Sequence, residues 1–176
     1  MPGFNPLCDA LALEALSLIS TWLPIAVAEP TNLTARGGMQ VGSCLAGISF
    51  LKGLGLVHAI SHMIGAEFNT HHGLTNAIIL PVVLRFNLPG MDDKVRRMAE
   101  VMQLPDHSVN GFINSVEVLL DEIAIPKSLS EIGVTVDCAE RIAGKALKDS
   151  AARTNPHIAT LAEVQALTET AISKAR

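Results

Sequence analysis

The chain has 176 residues, 49% hydrophobic, 3% aromatic and 17% charged, with a formal net charge of −4. That length suits one domain burying roughly 70% of its unfolded surface, and so few aromatic residues argue for packed helices over a sheet. An acidic balance without a basic patch, an RNA-binding motif or an aromatic platform excludes a nucleic-acid-binding role.

The first helix is expected after Pro6 and to about Ala28, closed by the Glu29-Pro30 step, with Pro24 kinking or breaking it. The N-terminus has no basic stretch and carries Asp9 and Glu14, so no targeting peptide is read there. Thr31 or Asn32 can cap a second helix reaching about Leu51. Its Gly37, Gly38, Gly42, Ser43, Ala46 and Gly47 form a small-residue surface for a close neighbour. The uncharged runs Ala15 to Ala28 and Gly38 to Leu51 are too short to span a bilayer comfortably and read as buried core helices; no membrane partner is expected.

After Gly53-Leu54-Gly55 a third helix carries His58 and His62 and is expected to stop near Gly65. A connector, Ala66 to His72, leads to a fourth, apolar helix from about Leu74 to Asn87. Met91 to Gln103 is amphipathic and charged, and another helix spans roughly Ser108 to Ile123. Ser128/Glu131 and Thr160/Glu163 match the S/T-x-x-E capping box. Between them Asp137 to Asp149 reads as helix and Thr154-Asn155-Pro156 as a turn. No strand, repeat or Gly-rich nucleotide loop is visible, so the fold class is all-α, a multi-helix bundle over residues 1–176. Cys8, Cys44 and Cys138 are odd in number, widely spaced and without a CxxC. They read as reduced thiols packed as small hydrophobes in a cytoplasmic protein.

Four of the six histidines, at 58, 62, 71 and 72, fall within fifteen residues. His58 and His62 lie four apart, on one helix face, and His72 stands beside Gly73 before the next apolar run. A helix, a turn and a second helix can bring such rings around one cation, and neutral imidazole is a common metal ligand. From spacing alone, a metal or catalytic site and a set of hydrogen-bonded core or surface histidines both stay open. A zinc protease is a poor reading, because position 59 is Ala where the H-E-x-x-H motif needs its glutamate base.

The stretch GLGLVHAISHMIGAEFNTHHGLTNAIILP, Gly53 to Pro81, resembles the histidine-rich signature of the iron-containing (group III) alcohol dehydrogenases. PLCDALALEAL near the start and TNPHIATLAEVQAL near the end extend the resemblance over essentially the whole chain. It implies the C-terminal helical, metal-binding domain of such an enzyme, with His58 and His72 as metal ligands and His62 near the substrate in proton transfer. It further implies Fe2+, with Zn2+ also suited to such ligands, and NAD(P) bound mainly by an N-terminal dinucleotide-binding domain that this sequence lacks. The substrate would be a small alcohol or aldehyde. In the family an aspartate and a histidine four residues later, on an earlier helix, complete the ligand set. Neither has a counterpart here, and Asp9 is expected to favour the first turn of helix one instead of replacing them. Many members have Pro where His71 stands; a solvent-facing loop histidine is expected there.

A competing expectation is a non-catalytic helical domain serving interaction or oligomerisation. A third expectation is complementation, in which a separate polypeptide supplying the N-terminal portion docks on the apolar surface left bare; homodimerisation through that patch would be another way of covering it.

Overall fold

The computed structural model describes residues 5–173, and among them are eight α-helices and no strand. They group into two compact units: Gly53–Asn87 with 124–173, and 5–52 with Leu88–Ile123.

In the second of these, α1 (Pro6–Ala28) starts where the Asn5 side chain accepts from the Cys8 N–H at 3.2 Å, with Pro in the first turn. It runs through Pro24 without a break. α2 (Leu33–Ser49) is capped by Asn32, which accepts from Ala35 N–H at 3.0 Å, and ends in a 3-10 turn, Phe50–Lys52. Two of its glycines allow close packing on α1: a Cβ at Gly38 would sit 2.3 Å from the Trp22 ring, and one at Gly42 3.0 Å from Ile19. Gly37 and Gly47 have open space instead, so only part of the expected small-residue surface is used.

α1 and α2 are not the buried core helices expected. Only Cys8 and Ala15 in α1, and Ala35 and Gly42 in α2, are buried, and Cys44 is exposed where a packed thiol was expected. α1 is also, at 23 residues, long and apolar enough by length and composition to cross a membrane, because it extends beyond the uncharged run read from sequence. Asp9 lies in its first turn, as expected, and pairs with Lys52. The same unit contains α5 (Asp92–Val101) and α6 (Val109–Glu122), the latter capped by Ser108.

The other unit carries the histidines. α3 (Leu56–Phe68) and α4 (His72–Asn87) form a helical hairpin. α3 passes Gly65 and stops three residues later, where Asn69 takes the left-handed conformation (φ 53°) that ends a helix. The connector shortens accordingly, and His72 becomes the first residue of α4. The short Ser128/Glu131 capping box opens only a 3-10 turn, Leu129–Ile132. α7 (Ala139–Ala146) is shorter than the expected helix and is flanked by 3-10 turns Val136–Cys138 and Ser150–Thr154. α8 (Leu161–Ser173) opens on the Thr160/Glu163 capping box.

Leu56, Ile60 and Ile64 of α3, Ile78, Ile79 and Val83 of α4, Ile142 of α7 and Val164 of α8 are buried together in this unit's core. Positions 56, 60 and 64 share one face of α3. Residues 58 and 62 fall about 200° around the helix from them, which leaves their rings on the side away from that core. The N-terminus of α3 is held by a distant side chain. Asn155 Oδ1 accepts from the Leu56 N–H (3.1 Å) and from Asn87 Nδ2 (2.9 Å), while its Nδ2 donates to Asn87 Oδ1 and His157 O. Gly53 (φ 99°) has Thr154 against it so closely that a Cβ would lie 2.2 Å from that side chain.

Candidate metal centre

The hairpin brings three of the four clustered imidazoles together. Ring centroids are 5.8 Å apart for His58 and His62, 5.3 Å for His58 and His72, and 5.4 Å for His62 and His72, the last pair stacked within 18°. His71 stays apart from them: it is exposed, and its Nδ1 accepts from the Leu74 N–H at 3.3 Å, capping α4. A solvent-facing position was expected for it; the capping role was not.

The Nε2 atoms of His58 and His72 face the same atom, Asn76 Nδ2, at 3.4 and 3.0 Å. His72 and Asn76 are one turn apart on α4, so the helix itself sets that pair. On the far edge of the His72 ring, Nδ1 is 3.2 Å from the buried Ser61 Oγ. A proton on Nδ1 donated to Ser61 leaves the Nε2 lone pair for a ligand, the usual way an outer partner fixes a metal-binding tautomer. Burial holds the His58 imidazole below its ordinary pKa. Positive charge on His72 or His62 would push it further the same way, against a smaller opposing pull from Asp149. Its neutral form, the one that ligates metals, is therefore favoured.

His62 has a different partner. Its Nδ1 lies 3.0 Å from Asp149 Oδ2, and its side chain is 35% exposed. The other oxygen, Asp149 Oδ1, accepts from the Ala151 N–H at 2.7 Å and caps the 3-10 turn Ser150–Thr154. That backbone hydrogen bond first, and the hydrogen bond to His62 after it, hold the Asp149 carboxyl below its ordinary pKa.

Imidazole nitrogens aimed at one point suit Fe2+ or Zn2+. Among the described residues no three His, Cys, Asp or Glu side chains are arranged to hold a metal ion. His58 and His72 therefore fit as part of a donor set, which no third His, Cys, Asp or Glu among the described residues joins. Asn76 Oδ1 is buried without a hydrogen-bond partner, a situation costing roughly 1–3 kcal/mol.

Ser61, Asn76 and Asp149 received no role from the sequence. Ser61 and Asn76 carried a usable signal: Ser61 adjoins His62, and Asn76 follows His72 by one helical turn. Asp149 carried none, since it stands 87 positions from its partner.

Residues 2–172 match the model of the Fe-containing alcohol dehydrogenase family, C-terminal. The chain is 33% identical to the NAD-dependent methanol dehydrogenase of Bacillus methanolicus, covering 97% of this chain and 46% of that protein. It is 36% identical to the lactaldehyde reductase of Escherichia coli (strain K12), covering 96% and 46%. The crystal structure of a 1,3-propanediol oxidoreductase superposes with a TM-score of 0.92 at 35% identity, over 96% of this chain and 46% of that one. An alcohol dehydrogenase from Oenococcus oeni does so with 0.89 at 30% identity, over 95% and 45%. The chain thus spans about half the length of the relatives it matches. With an all-helical fold, a histidine hairpin and these relatives in agreement, the chain belongs to the iron-containing alcohol dehydrogenase family and corresponds to its C-terminal domain.

Proposed function

We propose that this chain is the metal-binding part of an NAD(P)-dependent, cytoplasmic alcohol dehydrogenase that interconverts a small alcohol and its aldehyde or ketone. The observation that carries the reading is the meeting of His58, His62 and His72, with two Nε2 atoms aimed at one point. The relatives are named for methanol, lactaldehyde and 1,3-propanediol, which favours short-chain substrates.

His58 and His72 are the metal ligands, for Fe2+ or, by the same donor chemistry, Zn2+. When bound, the cation supplies Lewis acidity that favours the alkoxide, and the nicotinamide supplies the hydride acceptor. His62 takes the hydroxyl proton. With Nδ1 donating to Asp149, its Nε2 is left to accept, and the carboxylate steadies the imidazolium that forms. The partly exposed ring then returns the proton to water. NAD(P) is held mainly by the part of the enzyme these residues do not contain.

That other part of the enzyme, or a second copy, is the expected partner. Leu7 and Val27 of α1, Leu33, Val41 and Ile48 of α2, and Phe50 and Leu51 after it are exposed, supporting a covered surface in the assembled enzyme.

The test is metal analysis of the purified chain, together with alcohol-dependent NAD+ or NADP+ reduction by the complete enzyme that carries it. Bound divalent metal that disappears in His58→Ala, and turnover that disappears with it, bear the reading out. Absence of both favours the second reading, a non-catalytic interaction module. The incomplete set of His, Cys, Asp and Glu donors is the observation on that side.

A further inference from the structure

We propose that Asn76 is a third donor of the cation site: a half-turn of its amide sets Oδ1 beside the Nε2 atoms of His58 and His72, so that the three donors flank one ion. This rests on the metal-site reading above and extends it to a residue outside the histidine set.

One amide nitrogen carries two N–H donors. Here it faces two ring nitrogens, His58 Nε2 at 3.4 Å and His72 Nε2 at 3.0 Å. Both rings then present lone pairs, not protons, to one side chain. Lone pairs converging on one place are what a cation requires. The other end of the amide is equally informative. Asn76 Oδ1 is buried and accepts nothing, although native folds pair nearly all such atoms.

No hydrogen bond on the oxygen therefore resists rotation about the Cβ–Cγ bond, a soft torsion with broad, roughly two-fold wells. The half-turn exchanges two atoms of similar size, so the packing around the side chain is little disturbed. It places a carbonyl oxygen where the amide nitrogen stood, beside two imidazole nitrogens. Two nitrogens and one oxygen are a set that Fe2+, Zn2+ or Co2+ accepts. The remaining coordination positions go to donors beyond these residues, to water or to the substrate oxygen.

The experiment is a Co2+ titration of the full chain followed by visible absorption, for the unsubstituted protein and for Asn76→Ala, Asn76→Asp and His58→Ala. A parallel Zn2+ titration follows the Asn side-chain NH2 resonances by NMR. Asn76→Ala is expected to weaken binding by roughly tenfold or more, while Asn76→Asp, which keeps an oxygen there and adds charge, binds at least as tightly as the unsubstituted chain. Zn2+ should shift the Asn76 NH2 signals and leave those of exposed Asn110 in place. If Asn76→Ala misfolds by circular dichroism, Asn76→Asp and the NMR titration decide.

Equal affinity in both Asn76 variants, with loss in His58→Ala, overturns the inference and leaves the dehydrogenase reading standing. So does an Asn76→Asp chain that binds as poorly as Asn76→Ala. Unchanged binding in His58→Ala removes the metal-site reading and this inference with it. No Co2+ uptake by the unsubstituted chain overturns the inference alone, since turnover of the complete enzyme tests the reading separately.

Discussion

Asp149 Oδ2 and His62 Nδ1 stand 3.0 Å apart, and the same carboxylate caps the following 3-10 turn through the Ala151 N–H. One residue thus orients the imidazole assigned to proton transfer and is itself fixed by backbone, so the ring direction does not depend on a mobile partner.

Asn in place of Asp149 keeps the shape but removes the charge that steadies a His62 imidazolium. In the complete enzyme Asp149→Asn should lower kcat by roughly tenfold to a hundredfold, with KM little changed. Steady-state kinetics with a short alcohol check this. Metal content should stay as it was; a loss of metal would contradict the separation of roles between His62 and the His58/His72 pair.

Acid stability follows from the depressed Asp149 carboxyl. Its folded pKa lies below the unfolded value, so the folded state binds fewer protons between the two. The contribution is present above roughly pH 4, the unfolded value, and is lost as pH falls through the folded one. Denaturant unfolding at pH 5 and pH 3 should show a smaller drop for Asp149→Asn than for the unsubstituted chain.

Ser61 acts on His72 from the side away from Asn76. Ser61→Ala removes the acceptor available to a proton on His72 Nδ1 and should weaken divalent-metal affinity by roughly tenfold to a hundredfold. The protein should stay folded, since the change is small. Equilibrium dialysis with Zn2+ measures it, and an unaltered affinity would sink the tautomer argument.

Asn155 closes the start of α3 from another part of the chain, accepting from the Leu56 N–H and pairing with Asn87. Asn155→Ala strips that cap and leaves partly buried polar groups unpaired, which should cost about 2 kcal/mol of stability. Thermal unfolding reads this. Metal affinity should fall as well, because His58 lies two residues beyond Leu56.

Packing of α1 on α2 separates glycines of identical helical setting. Gly38→Ala meets the Trp22 ring and should destabilise by roughly 1–3 kcal/mol. Gly37→Ala and Gly47→Ala, with open space around them, should stabilise by about 0.5–1 kcal/mol, since Ala is the better helix former. Thermal melts of the three variants give the comparison.

Much of the helix order could be read from the chain. Asn32 and the Thr160/Glu163 pair announced helix starts through short-range capping, and the Glu29-Pro30 step announced the end of α1. The ends of α3 and α7 were misplaced, that of α3 for a physical reason. Gly65 weakens a helix without ending it, and the stop came from a left-handed Asn69. α7 ends at Ala146, and in the segment after it Asp149 bonds to Ala151 and His62.

By itself the sequence determined what is local: an all-helical chain, and His58 and His62 on one face through a spacing that any α-helix enforces. Tertiary structure alone decided which nitrogen of each ring faces what. Asp149 reaches His62, Ser61 fixes His72, and Asn76 sits between His58 and His72 only after α3, α4 and the turn following α7 pack together. Helical periodicity acts over four residues and is legible in sequence. The direction of a lone pair depends on partners up to 87 positions away and exists only in the packed fold.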